Sequence, residues 1–241
     1  MRSHPLIVAF VVSAALLGGC GGGGGSRSSS SASPPGPVNL SSAPGETALM
    51  AYLQASHNYT LKANSGGNSY TLQVSHVANA GTTKFNGSAP AYSSVDTLTL
   101  DENAVRLAIS ASADYFLLHP YVPLGRVSST GSPYGVVTSS TPLPTTLEVG
   151  SSGDVDSLTY YHDSAMSALD AHEEDTYSVR ANNTTTLLLC LDSTMTNVTA
   201  QGSADDLVDD AQSDCYSVDA AGNAALVSIT LTVNGVDLTF R

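Results

Sequence analysis

Ala225–Phe240 reads ALVSITLTVNGVDLTF, and this stretch decides the fold. Ile229, Leu231 and Val233 alternate with Thr230 and Thr232, a period of two that lays every apolar side chain on one face of a strand. Asn234-Gly235 then separates this run from VDLTF at 236–240. A type I′ hairpin turn needs positive φ at both central positions, and Asn-Gly supplies it.

Working outward, the same design repeats. NYTLKAN (58–64), SYTLQVS (69–75), VDTLTLD (95–101), VRLAISA (105–111), TTLEVG (145–150), DSLTYY (156–161), TYSVRAN (176–182), TTTLLLCLD (184–192) and CYSVDA (215–220) are β-branched or aromatic runs. SGGN (65–68), FNGS (85–88), TGSP (130–133), GSSGD (150–154) and AAGN (220–223) punctuate them and mark turns. Short strands at this spacing predict an all-β antiparallel sandwich or barrel-like sheet. One helix is expected before them, over ETALMAYLQAS (46–56), where Leu49, Tyr52 and Leu53 share a side. Residues 163–175 (DSAMSALDAHEED) read as a second short helix or an acidic loop. Tyr115-Phe116-Leu117-Leu118 reads as a central strand, and the tyrosines in strand patterns (59, 70, 160, 161, 177 and 216) as core or sheet-face residues.

Two halves echo each other. Tyr59–Asn64 parallels Tyr177–Asn182, Gly87-Ser88-Ala89 parallels Gly202-Ser203-Ala204, and Asn103-Ala104 parallels Asn223-Ala224 in the same order. Related β-units over 57–118 and 175–240 are expected, with 119–174 as the connection.

The composition excludes one class of partner. Eight Lys and Arg stand against 21 Asp and Glu, a net charge of −13, so the clustered cations that grip nucleic-acid phosphates are missing. Only 12% of the residues are charged, half the usual share, and Ser and Thr, about a quarter of the chain, take their place.

At the N-terminus, Arg2 and His4 precede an apolar run over 6–17. That run is too short for a bilayer core, which takes roughly 20 helical residues, and has the form of a secretory signal. It closes on Leu17-Gly18-Gly19-Cys20, which resembles the lipobox of bacterial lipoproteins. The resemblance implies a signal peptide over 1–19, cleavage before Cys20, a diacylglycerol on its thiol and acylation of its new amine. Two or more acyl chains give stable anchoring, so the membrane is an expected partner through the lipid on Cys20. Cleavage removes Arg2 and leaves seven basic against 21 acidic residues, a net −14. By resemblance to lipoprotein sorting, Gly21 in place of Asp implies the outer membrane, with the domain facing the periplasm or the cell surface. Residues 21–45 are rich in Gly, Ser and Pro and form a tether with a reach of about 25–30 Å, leaving 46–241 as the globular domain.

Cys190 and Cys215 remain after Cys20. In an oxidising compartment they are expected to pair, closing a loop worth about 3 kcal/mol by chain entropy. Between them lies the densest acidic cluster, Asp205, Asp206, Asp209, Asp210 and Asp214. It is the one place where calcium, which takes six to eight oxygens, is a candidate, although no Asp-x-Asp-x-Asp-Gly loop is present. A solvated turn capped by Ser203 is the plainer reading. Asp154-x-Asp156 reads as a hairpin turn. His162-Asp163-Ser164 has the letters of a hydrolase triad, but strand neighbours point to opposite faces. His162, His172 and Glu173 lack zinc-ligand spacing, and His57, His76 and His119 read as surface or turn residues.

No catalytic residues and no cofactor other than that calcium are expected. The chain reads as a lipid-anchored cell-envelope lipoprotein, a non-catalytic interaction or structural module. The alternatives are a periplasmic carrier or sensor of an apolar ligand in a β half-barrel, and a metal-dependent hydrolase.

Overall fold

The alternating runs join into one continuous antiparallel meander. A computed structural model describes residues 39–241 except 88, 89, 234 and 235; the lipobox and most of the tether lie outside the described residues. In chain order the elements are β1 (Ser42–Pro44), α1 (Glu46–Leu53), β2 (His57–Ser65), β3 (Asn68–Ala78), β4 (Thr83–Lys84), β5 (Pro90–Glu102), β6 (Val105–Leu117), β7 (Val122–Ser128) and β8 (Tyr134–Ser140). There follow β9 (Thr146–Glu148), β10 (Ser152–Tyr161), β11 (Leu169–Ala181), β12 (Thr186–Thr196), α2 (Ala200–Ala204), β13 (Asp210–Asp219), β14 (Ala224–Val233) and β15 (Val236–Phe240).

Twelve strands pair in the order β15-β14-β13-β12-β11-β10-β8-β7-β6-β5-β3-β2, while β4 folds onto β5 and β1 pairs with β9 apart from the sheet. The two outer strands then meet: Lys62 N–H donates to Arg241 O at 2.9 Å and Arg241 N–H to Lys62 O at 3.0 Å. That exchange joins the two edges at one residue pair and makes the sheet a nearly closed barrel. Val233 pairs with Val236, leaving two residues for the hairpin, Asn234-Gly235, which themselves lie outside the described residues.

Period-two alternation turns one face of every strand into the barrel. Leu61, Leu72, Leu98, Leu100, Ile229, Leu231, Leu238 and Phe240 pack into one apolar cluster along β2, β3, β5, β14 and β15. α1 plugs one end: Ala48 and Leu49 pack with Leu147, Val179, Leu187 and Val218. At the other end Leu207, just past α2, packs against Leu158, Tyr160 and Met195. Glycine permits two close approaches in the wall, because a Cβ on Gly125 would overlap Gly135 O and one on Gly135 would lie 2.7 Å from the Tyr160 ring. No described helix is long and apolar enough to cross a membrane.

Three expectations are corrected. Residues 163–175 form no helix, for β11 begins at Leu169. Its inward positions carry Glu173 and Asp175, so the alternation is present but written in acids. Residues 119–174 are more than a connection, since they supply β7, β8 and β10. α1 stops at Leu53 rather than Ser56, and Ser56 Oγ instead accepts a hydrogen bond from Ala78 N–H.

The echoed segments occupy equivalent places in two four-strand runs, β2-β3-β5-β6 and β11-β12-β13-β14. Tyr59–Asn64 lies in the first strand of one, and Tyr177–Ala181 in the first strand of the other. Asn103-Ala104 and Asn223-Ala224 lie at the hairpins between the third and fourth strands.

Candidate functional site: an acidic barrel lumen

Strand register carries a set of ionisable side chains inside. His76 pairs with Asp96 across β3 and β5, Asp114 with Arg126 across β6 and β7, Asp156 with Asp175 across β10 and β11, and Leu191 with Asp214 across β12 and β13. Each lies in phase with the apolar inward residues of its strand, so it points into the barrel. A bulge between Asp154 and Asp156 shifts β10 by one position, which puts Asp156 in the lumen.

Together they line a cavity of about 180 Å³. Five aspartates (96, 114, 156, 175 and 214) surround one strong cation, Arg126. Arg126 donates to Asp114 Oδ1 at 2.6 Å and to Glu173 Oε1 at 3.2 Å. Tyr160 O–H donates to the other oxygen of Glu173 at 2.7 Å, so this fully buried glutamate is satisfied twice. His76, 1% exposed, bonds Asp96 Oδ1 at 2.8 Å and the Leu53 carbonyl at 3.3 Å. Gln212 gives its amide N–H to Asp214 Oδ1 at 2.8 Å, while its own Oε1, buried, has no hydrogen-bond partner. Apolar and aromatic side chains supply most of the remaining lining, among them Val74, Leu98, Leu226 and Ile229, with Tyr52, Tyr121 and Tyr216, and Ser112, Thr176 and Ser193 add hydroxyls.

Burial shifts four of these aspartates, 114, 156, 175 and 214, toward their neutral forms. Burial pushes Asp214 up to about 7. It also raises Asp114 to about 6, against the pull of Arg126, and Asp156 to about 6. Asp175 rises well above the carboxylate range through burial and the charges of Glu173 and Asp156. Burial lowers His76, but the hydrogen bond and charge of Asp96 outweigh this and leave it raised.

A second cluster sits at the α2 end. His162 Nδ1 lies 2.6 Å from Asp205 Oδ2, and one ligand atom each from His162, Asp170 and Asp205 lie within 4.8 Å of one another. Among the described residues this is the one group of three spaced to hold a metal ion. Burial and the Asp205 charge raise Asp170 to about 6. Hydrogen bonding to Asp205 raises His162.

The sequence-expected residues are dispersed. Cys190 and Cys215 pair directly across β12 and β13 and are joined by a disulfide. The five aspartates of 205–214 do not converge: Asp205 belongs to the end cluster, Asp214 to the lumen, and Asp209 Oδ1 accepts from Val198 N–H at 3.1 Å. Thr199, not Ser203, caps α2, accepting from Gly202 N–H at 3.0 Å. His162 pairs with Asp205 rather than Asp163, and it lies just past β10, which ends at Tyr161. His172 bonds Thr159 at 3.3 Å on the outer face while Glu173 points inward, so His162, His172 and Glu173 form no common site. His57 stacks on Tyr52 at 4.3 Å between ring centroids, and His76 is a core residue; of the three lone histidines His119 is the exposed one, in a turn.

Asp96, Asp114, Arg126 and Asp175 escaped the sequence reading. Their signal was present as inward phase: each falls two or four residues from an inward neighbour of its own strand. No protein family, curated relative or solved structure matches this chain, so the site's chemistry rests on its own geometry.

Proposed function

We propose that this chain is a lipid-anchored binding protein of the cell envelope, non-catalytic, whose barrel takes a small organic cation with an apolar body into its lumen. The observation that carries the reading is the imbalance of the cavity: five aspartates against one arginine, beside the unpartnered Gln212 Oε1. Carboxylates and an amide oxygen are acceptors, and what they lack is N–H donors with positive charge. Tyr52, Tyr121 and Tyr216 add aromatic faces that attract cations, and the Val74–Leu98–Ile229 wall suits a hydrocarbon body. This lining favours a cation over the purely apolar ligand of the carrier alternative. The lipobox at Leu17–Cys20 supports an anchor on Cys20, with the outer membrane as its location.

The test uses the full chain with Cys20→Ser, which is expected to leave the membrane fraction; sedimentation with membranes would refute the anchor. Calorimetric titration with cyclohexylamine, cyclohexanol and cyclohexanecarboxylate separates charge from shape. The amine is expected to bind one to one, and Asp214→Asn to weaken it at least about tenfold. Equal binding of the alcohol would overturn the charge argument, and a fatty acid seen by native mass spectrometry would favour the apolar carrier. No binding of any of the three would return the chain to an interaction module acting through its outer surface.

A further inference from the structure

Beyond the lumen, and independent of it, we propose that His162, Asp170 and Asp205 form a site for a divalent transition metal of the zinc class at the α2 end of the barrel. The decisive observation is Asp170. Its side chain is fully buried, and neither carboxylate oxygen receives a hydrogen bond. An uncompensated buried carboxylate is costly, and its nearest ionisable neighbours are the Asp205 carboxylate and the His162 ring. Two acids and one imidazole, with one atom each inside 4.8 Å, are a ligand set for a borderline cation. Asp163, on the adjoining turn, adds a further negative charge facing His162 and Asp170.

The site is built rather than fortuitous. Thr199 N–H donates to the Asp170 carbonyl at 2.8 Å, and Thr199 Oγ1 to that of Leu169 at 2.9 Å. Gly202 brings α2 so close that a Cβ there would overlap Asp170 O. These contacts hold Asp205, which caps α2, over the ends of β10 and β11. Gln201 Nε2 steadies Asp205 Oδ2 at 3.1 Å. The 2.6 Å contact between His162 Nδ1 and Asp205 Oδ2 holds a proton, and the metal takes that proton's place, the exposed His162 ring swinging out until the two atoms are about 3.4 Å apart, each roughly 2.0–2.2 Å from the ion. The His162 side chain is 44% exposed, so the ion enters from solvent. Bound there, it ties β10, β11 and α2 together and closes the barrel's end.

The experiment is calorimetric titration of metal-stripped full chain with Zn²⁺, using Cys20→Ser so that no free thiol competes. One equivalent is expected to bind and to raise the melting temperature, since a ligand of the native state stabilises it. His162→Ala and Asp170→Asn are each expected to lower affinity at least about tenfold, while Asp214→Asn leaves it unchanged. Should Asp170→Asn fail to fold, His162→Ala at the exposed position carries the test, together with the visible d–d absorption of Co²⁺ and its loss in that variant. Absence of stoichiometric Zn²⁺ binding, unchanged affinity in His162→Ala, or equal preference for Ca²⁺ would each overturn the proposal.

Discussion

Leu72, Val74, Leu98 and Ile229 on one stretch of the barrel wall, and Asp114, Asp156, Asp175 and Asp214 on the next, occupy equivalent inward positions of one antiparallel ladder, with Ile229 and Asp214 paired where the two stretches meet. Their backbone environments match; their chemistry is opposite. The apolar wall does what a barrel interior ordinarily does, removing hydrocarbon from water at roughly 25 cal/mol per Å². The acidic wall works against stability, since buried carboxylates must be paired or protonated. Alternation specifies where a side chain points and leaves its purpose to its identity. That cost of an acidic wall, in a barrel that aliphatics would stabilise, is what the proposed cation would offset.

The largest effect is expected for Arg126→Met. It leaves Asp114 and Glu173 without their cation, and a loss of about 4 kcal/mol is expected in urea unfolding, as for other buried pairs broken on one side. A loss below that of a surface substitution would mean that the acidic wall is solvated rather than buried. On the apolar wall, Leu72→Ala removes a side chain 1% exposed and is expected to cost about 3 kcal/mol. At the α2 end, Gly202→Ala forces a Cβ onto the Asp170 carbonyl, with an expected cost of about 2 kcal/mol, read as a lower melting temperature.

The smallest effect, about 1 kcal/mol or less at pH 5, is expected for Asp214→Asn, yet it tests the acidic wall most directly. Asp214 is raised to about 7 and Asp114 and Asp156 to about 6 in the folded chain. A carboxyl raised above its unfolded value, about 4, stabilises the fold fully below that value and loses this contribution as pH rises through the folded one. The melting temperature is therefore expected to fall between pH 5 and pH 8. Asp214→Asn should flatten that fall; a melting temperature independent of pH across this range would contradict the buried carboxyls.

Legibility followed the same division. Ala225–Phe240 announced its strands and its turn because aliphatics marked the inward phase. HEED at 172–175 hid the start of β11, because Glu173 and Asp175 sit where an apolar pattern expects hydrocarbon. β7 and β8 carry little strand signal for a related reason. Val122–Ser128 and Tyr134–Ser140 include Pro123, Gly125 and Gly135, which signal turns in isolation but here permit close packing in the barrel wall. Of the end cluster, His162 and Asp205 were each noticed, but 43 residues separate them and only the docking of α2 on Asp170 brings them together.

By itself the sequence determined an all-β chain with strands in phase, a helix near residue 46, and two cysteines placed to pair. Those are local matters, set by the two-residue period of a strand and by the turn residues between runs. The tertiary structure decided that the sheet closes as a barrel, which polar residues share its lumen, and that His162, Asp170 and Asp205 meet. Closure and convergence depend on strand tilt, register and a bulge summed over twelve strands. No single stretch of the chain carries that sum, because one residue of register moves every side chain to the other face.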